Sequence, residues 1–395
     1  MRIALVAESF LPHMNGVTHS LLRILDHLAE RGDDVLVIAP KASATPSELH
    51  GYPIASLPAF SLPSYPNVRL ATGTVAKLTR LLAGFHPDVV HLASPFVLGW
   101  RALRAAERLG LPTVAVYQTD VPAYASRYGF PLAEPLLWDQ VRRIHQRATL
   151  NLAPSTYALA QLDAQDIGRT RLWVRGVDSV RFSPDRRDDA WRARVAPGGQ
   201  RILGYVGRLA AEKQVEDLVA LSGIPNTRIV IVGDGPERAR LEKLLPDALF
   251  LGFLTGDELA TAVAGFDVFV HPGELETFCQ TIQEAMASGV PVVATGRGGP
   301  LDLVDSSRTG WLYRPGDLAE LRARVCDLTG DDAKRRAFAD AARASVEPRT
   351  WKSVCAALIG HYSAAIEANA QRPAAGWPIT RRRAVQRDLR QKVGR

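Results

Sequence analysis

Along this 395-residue chain, short unbroken apolar runs alternate with longer stretches whose apolar residues fall three and four positions apart. The first run, "IALVAE" from Ile3 to Glu8, passes through the turn-rich "SFLPHMNG" into Val17, Leu21, Leu22, Ile24, Leu25 and Leu28. Gly32 closes that stretch before a second run, "VLVIAP". Runs without polar alternation mark strands covered on both faces, and three-four spacing marks a helix with one buried side. The pattern predicts a strand, helix, strand unit. "DVVHLA" (88–93) and "TVAVYQT" (113–119) predict further strands, with a helix over Gly99 to Leu109 between them. The first half is therefore expected to be a parallel sheet flanked by helices.

Between Ser183 and Gln200, "SPDRRDDAWRARVAPGGQ" loses apolar periodicity and is dense in charge, proline and glycine, as an interdomain linker would be. The pattern then restarts with "RILGYVGR" (201–208), and "RIVIVGDG", "ALFLGF", "DVFVHP" and "PVVAT" add short buried strands. A chain of this length also exceeds one ordinary core. The expected architecture is α/β, with Rossmann-like domains over 1–182 and 201–350, a linker over 183–200, a helix over 351–371 and a basic tail over 372–395. Open α/β sheets bind ligands at the carboxyl ends of their strands, which places a cleft between the two domains.

Composition narrows the class. With 47% hydrophobic and 23% charged residues the chain is an ordinary globular one. No apolar run reaches the roughly 18 residues of a membrane span, and the first segment lacks the features of a secretory signal, so neither membrane insertion nor export is expected. Cys279, Cys326 and Cys355 are an odd number without metal-ligand or CxxC spacing, which fits a reducing cytosol. The net charge of +7 is concentrated at one end. Residues 372–395 hold eight basic residues against the single Asp388, and without them the chain has 40 basic and 40 acidic residues. A balanced body disfavours a nucleic-acid surface. The tail, "RRRAVQRDLRQKVGR", reads either as solvated, disordered chain or as a contact with anionic lipid at the inner face of a membrane.

The candidate chemistry centres on "HPGELETFCQTIQEAMASGVPVVAT" (271–295), where Glu276 and Glu284 lie eight positions apart. Thr277 and Gln280 fit a capping box, with Phe278, Ile282, Ala285 and Met286 at helical spacing behind it. The predicted helix start lies at the mouth of the cleft, where free N–H groups and the positive dipole end favour a phosphate. Glu276 falls in the loop before it and Glu284 about two turns in. Eight helical residues rise about 12 Å, more than the roughly 5 to 9.5 Å between the carboxyls of a glycosidase pair. The two therefore read as separate contacts to sugar hydroxyls rather than a hydrolytic dyad; two solvated acids on a surface helix are the plain alternative. Arg208 and Lys213, in "VGRLAAEKQ", follow the first strand of the second half, where two cations could neutralise a diphosphate. Gly16, in "HMNGVTHS", would let backbone approach a phosphate, whereas "VGDGPE" lacks the spacing of a dinucleotide fingerprint. His86 and His91 have no cysteine beside them, no D-x-D pattern occurs, and no metal site is expected. The absence of a G-x-S-x-G elbow disfavours a serine hydrolase.

Taken together, the Gly16 loop, "VRGVDSVRFSP" (174–184), "VGRLAAEK", "VGDGP" and the E-x(7)-E of "ETFCQTIQEAMASGVPVV" resemble the retaining GT-B glycosyltransferases of family four, over about residues 1–365. The resemblance implies two Rossmann-like domains facing each other across a cleft, the first binding the acceptor and the second the nucleotide-sugar donor. "WKSVCAALIGHYSAAIEA" would be a helix crossing back to the first domain. By position it implies Glu276 on the donor hexose, helped by the backbone N–H groups of Phe278, Cys279 and Gln280. Glu284 would take the nucleotide ribose, Arg208 and Lys213 the diphosphate, and Gly16 would approach that diphosphate from the first domain. No metal or other cofactor is implied. Gln118, in "VYQTDVPAY", stands where many members carry a histidine that contacts the sugar, and Cys279 stands where glycine is commonest. The wording "ETFCQTxQEA" is most similar to the actinobacterial GDP-mannose-dependent α-mannosyltransferases that build glycolipids.

The implied reaction moves a hexose, mannose from GDP-mannose in the first instance, to an acceptor hydroxyl with retention. The acceptor attacks on the face the diphosphate leaves, Glu276, Arg208, Lys213 and Gln118 supply the catalytic contacts, and the departing phosphate takes the proton. A UDP-sugar-dependent transferase and a noncatalytic nucleotide-sugar sensor are the alternatives. A lipid-linked acceptor is suggested by the basic tail and by "PLLWDQVRRIHQRATL" (135–150). There Leu136, Leu137, Val141 and Ile144 share one helix face and Arg142, Arg143 and Arg147 another, as at a membrane surface or in a helix packed into its own domain.

Overall fold

The computed structural model describes residues 1–62 and 65–371, so the basic tail at 372–395 lies outside the described residues. In the first half, strands lie in the order Thr170–Leu172, Leu150–Ala153, Thr113–Val116, Val89–Ala93, Arg2–Ala7, Asp34–Pro40, Tyr52–Leu57 and Glu48–Leu49. Within this sheet only the last, short strand runs antiparallel to its neighbour, and strands Ala59–Leu62 and Tyr65–Ala71 form a separate antiparallel pair. The second half repeats the arrangement with Leu249–Gly252, Thr227–Val232, Arg201–Val206, Val268–His271, Val292–Thr295 and Gly310–Tyr313, all parallel. The unbroken apolar runs become these interior strands because helices cover both faces of each sheet.

In each half the chain begins on an interior strand, winds outward on one side, then returns to build the other. Arg2–Ala7 beside Val89–Ala93, and Arg201–Val206 beside Val268–His271, are therefore the points where successive connections depart in opposite directions. A crevice opens there at the carboxyl ends. The loop from Glu8 to Asn15 enters the first crevice and ends on helix Gly16–Arg31. That helix is capped by the Asn15 side chain, which accepts from the N–H groups of Val17 and Thr18, and is stopped by left-handed Gly32. The loops 207–214 and 272–279 enter the second crevice.

The stretch read as a linker is part of the second half. Asp188 caps a helix at Asp189–Val195, Trp191 packs on Phe266, and Val195 and Ala196 join the second-half core. Most of its charges are exposed, but two of its arginines reach an interior acid. Arg192 pairs with buried Asp267 at 2.9 Å and Arg187 with the same carboxylate at 3.4 Å, so a segment that looks polar in sequence carries the counter-charges of an interior acid.

Helix Trp351–Ala370 returns to the first half. Trp351, Val354, Cys355, Leu358, Tyr362 and Ala365 enter the core built on Ile3, Leu5, Leu21 and Leu25. The Trp173 indole donates to Val354 O at 3.0 Å, and His91 of the first sheet hydrogen-bonds the Tyr362 hydroxyl at 2.8 Å. The outgoing and returning segments pair where they cross, the Val177 N–H donating to Arg349 O at 2.8 Å.

Candidate active site

Strand Val268–His271 delivers its last residue to the crevice, and the loop that follows leads to helix Gln280–Ala287. The capping box does not form. The residue before the helix is Cys279, left-handed at φ 77° and without a side-chain cap, so the first N–H groups of the helix face the crevice uncapped. The left-handed bend turns Thr277 away from the helix, and its hydroxyl donates to Gln118 O in the first half at 2.8 Å. A positive φ is also the reason glycine suits position 279 and a side chain there carries strain, of about 1 to 3 kcal/mol. The loop is held from below. Gly299 donates its N–H to Glu276 O at 2.7 Å, and a Cβ on Gly299 would lie 2.3 Å from Phe278 O.

Glu276 is gripped by two cations at one oxygen. Lys213 Nζ lies 2.6 Å and His271 Nε2 3.1 Å from its Oε1. Burial alone would raise the Glu276 carboxyl, but Lys213 and His271 outweigh it and hold it down at about 2. Burial would likewise lower His271, yet Cys279 and Glu276 beside it push the imidazole up to about 9. Lys213, also buried, is kept well above its ordinary range by Glu276. At neutral pH the cluster therefore holds a carboxylate, an ammonium and an imidazolium. His271, Glu276 and Cys279 place their ligand atoms within 4.8 Å of one another, a set that could hold a metal ion. The carboxylate's charge, however, is already met by Lys213 and His271, and an entering cation would have to displace them.

Glu284 is the fifth residue of its helix, one turn in rather than two. Its carboxyl is buried and lies in the field of Arg23 and Asp178, with the Gln280 side chain bonded to it. Burial dominates and pushes it up to about 8. The two glutamates thus sit in opposite electrostatic settings, one ionised and clamped between two cations, the other buried and mostly protonated at neutral pH.

The remaining sequence candidates are distributed around this loop. Gly16 opens its helix with no atom within 4 Å of where a Cβ would stand. Gln118 is buried and its side-chain oxygen accepts from Arg175 Nη2 at 2.6 Å. Arg208 and Lys213 do not converge. Lys213 serves Glu276, while Arg208 is half-exposed and reaches toward Glu212 at 4.0 Å. Sequence reasoning passed over His271 and Arg175. The signal for His271 was a polar residue ending an otherwise apolar strand at the crevice; Arg175 lay inside a quoted motif without being singled out.

The halves touch around the site. Arg127 Nε donates to Ala211 O at 3.1 Å and its guanidinium lies 3.5 Å from Glu216. The Tyr128 hydroxyl donates to Glu212, and Gln280 and Gln283 donate to the carbonyls of Gly176 and Arg175 at 3.0 and 3.1 Å.

Two parallel, doubly wound sheets with a loop entering the crevice at each switch point are the architecture of a GT-B glycosyltransferase, and the comparisons with known proteins agree. Residues 14–181 match the model for Glycosyltransferase Family 4, and residues 187–345 that for Glycosyl transferases group 1. The chain is 49% identical over 371 residues to a GDP-mannose-dependent alpha-mannosyltransferase of Mycolicibacterium smegmatis, covering 93% of this chain and 98% of the relative. A sulfoquinovosyl transferase of Arabidopsis thaliana is 35% identical, over 92% of this chain and 74% of its own. Among solved structures, a sucrose-phosphate synthase from Thermosynechococcus elongatus superposes with a TM-score of 0.78 at 21% identity, covering 93% of this chain and 99% of that one. Anabaena HepE in complex with UDP-glucose gives 0.74 at 21%, covering 92% and 100%. This chain belongs to glycosyltransferase family four.

Proposed function

We propose that the protein transfers mannose from GDP-mannose to a hydroxyl of a lipid-linked acceptor, retaining the anomeric configuration. The reading is carried by end-to-end identity with mannosyltransferases, 49% over 371 residues, together with a donor loop whose Glu276 is clamped in the ionised state. Glu276 Oε1 is taken by Lys213 and His271, which leaves the second oxygen to accept hexose hydroxyls. The diphosphate meets the uncapped helix start and Arg208, whose positive charge favours its departure. Glu284 takes the ribose. The acceptor hydroxyl attacks from the face of the leaving phosphate, which receives the proton. Protein groups supply all the charge compensation in this scheme, so a chelator leaves turnover unchanged. Nucleotide release measured with GDP-mannose, UDP-glucose and UDP-N-acetylglucosamine over lipid extract tests the donor. Release of GDP should exceed release of UDP by at least about tenfold, and faster turnover of a UDP-sugar overturns the assignment.

The acceptor side favours a membrane-held substrate. Helix Glu134–His145 buries Val141, Ile144 and His145, whereas Leu136 points outward with 70% of its surface exposed, beside Leu132 at 92% and Phe130 at 63%. Around Trp100 stand Arg143 at 5.0 Å, Arg104 at 5.7 Å and Arg147 at 5.8 Å from its ring. Exposed apolar side chains on the same half as a cluster of arginines match the interface of an anionic bilayer. No helix among the described residues is long and apolar enough to cross one. The double substitution Leu132→Asp, Leu136→Asp should reduce co-sedimentation with phosphatidylglycerol vesicles about tenfold or more without lowering Tm. Equal sedimentation of parent and variant removes the patch from consideration.

A further inference from the structure

Arg175 is 6% exposed and lies in the segment connecting the two halves. Its Nη1 donates to Gly16 O at 2.8 Å and its Nη2 to Gln118 Oε1 at 2.6 Å. Both acceptors are neutral, and among the described residues the guanidinium has no ion-pair partner. Burial draws it down to about 10, which still leaves it charged at neutral pH. A charge removed from water in this way costs several kcal/mol unless an opposite charge meets it, and a guanidinium has five N–H groups to offer.

The surroundings add to the imbalance. Arg23 is matched by Asp178 at 3.1 Å, and Arg181 reaches Asp257 at 3.7 Å. His19, pushed down to about 4 by burial and by Arg23, Arg175 and Arg181, adds no charge. Arg175 remains without a counter-charge among the described residues, and the two groups that hold it are those the family resemblance implies against the donor from the first half. Gly16 keeps open space beside its backbone, and Gln118 stands where the family resemblance implies a contact with the sugar.

We propose that Arg175 binds the donor, as a cation contributed from the first half that meets the diphosphate across the crevice from helix Gln280–Ala287. The inference rests on the nucleoside-diphosphate reading of the donor above. It explains why a buried guanidinium is kept without an acid: the missing charge arrives with the substrate. Because its own carbonyl accepts from Gln283 on the donor helix, the same residue joins the phosphate site to the contact between the halves.

The test is calorimetric titration of the parent, Arg175→Gln and Arg175→Lys with GDP, UDP and guanosine, alongside Tm without ligand. Arg175→Gln should bind the preferred diphosphate about tenfold to hundredfold more weakly, bind guanosine as the parent does, and melt no lower than the parent. Arg175→Lys should recover part of the loss. A purely structural clamp between Gly16 and Gln118 predicts the reverse pattern, with equal losses for guanosine and diphosphate and a fall in Tm in both variants, and that outcome overturns the proposal. Undiminished diphosphate affinity in Arg175→Gln overturns it as well while leaving the donor reading intact. If the parent binds neither GDP nor UDP, the donor reading fails and the proposal with it.

Discussion

Glu276→Gln is expected to lower turnover by about two to three orders of magnitude while the protein keeps its fold and its affinity for the free nucleoside diphosphate. The amide fills the carboxylate's place and still meets Lys213, but it cannot stabilise positive charge growing on the sugar. Glu276→Ala should be worse in a second way. Like Glu276→Gln it leaves Lys213 and His271 buried without their acid, and breaking a buried pair from one side costs about 3 to 5 kcal/mol, so both variants should melt lower than the parent, and Glu276→Ala, which also loses the hydrogen-bond acceptor for both cations, lower than Glu276→Gln. Steady-state turnover and Tm on both variants check the pair, and near-parental turnover in Glu276→Gln would remove Glu276 from the donor site. The cluster also sets a pH window. Glu276 is held at about 2, below its ordinary 4.5, so its stabilisation is present above 4.5 and is lost as pH falls toward 2. His271 is held at about 9, above its ordinary 6.5, so its stabilisation is present below 6.5 and is lost as pH rises through 9.

Nucleotide affinity should climb with pH and level off near 8. Glu284, raised to about 8 from an ordinary 4.5, is mostly protonated in the unliganded protein at pH 7. Ribose hydroxyls are donors, and their natural acceptor is the carboxylate. Binding must therefore expel the proton, which weakens affinity by up to about tenfold for each pH unit below the carboxyl's own value. The sign for folding is opposite: the folded state binds the proton more tightly than the unfolded one, so this group lowers stability as pH rises from 4.5 to about 8. Titrations with GDP at pH 7 in buffers of different ionisation enthalpy should register about one proton released. Glu284→Gln should abolish both the release and the pH slope. A pH-independent affinity in the parent would show that Glu284 does not hold the ribose.

Much of the fold was legible because parallel strands, covered on both faces, must be written as unbroken apolar runs, and "RIALVA" and "RILGYV" could hardly be anything else. The segment at 183–200 was not legible, because two of its arginines, Arg187 and Arg192, answer a distant acid, Asp267, and no local pattern records that pairing. Local chemistry also misled at helix Gln280–Ala287. Thr277 and Gln280 spell a capping box, but the left-handed turn at Cys279 sends both side chains to carbonyls of the first half, at Gln118 and Gly176. The two glutamates differ in their surroundings, and the reason lies in three dimensions. Lys213 and His271 converge on one of them, and neither on the other. Lys213 was read as a phosphate ligand because a cation after a glycine-ended strand allows that; only the folded loop shows it bonded to an acid.

The helix at Trp351–Ala370 bears on how the molecule is made. Six of its side chains complete the core of the half that is synthesised first. The second half, with its strands and covering helices contained between about residues 177 and 346, has no such debt to the chain's end. During translation the usual N-terminal-first order is therefore inverted for the finished state. The earlier half must wait with Trp173 and His91 lacking their partners Val354 and Tyr362 until residues 351–370 have emerged, and a chaperone that shields apolar surface would find it in that interval.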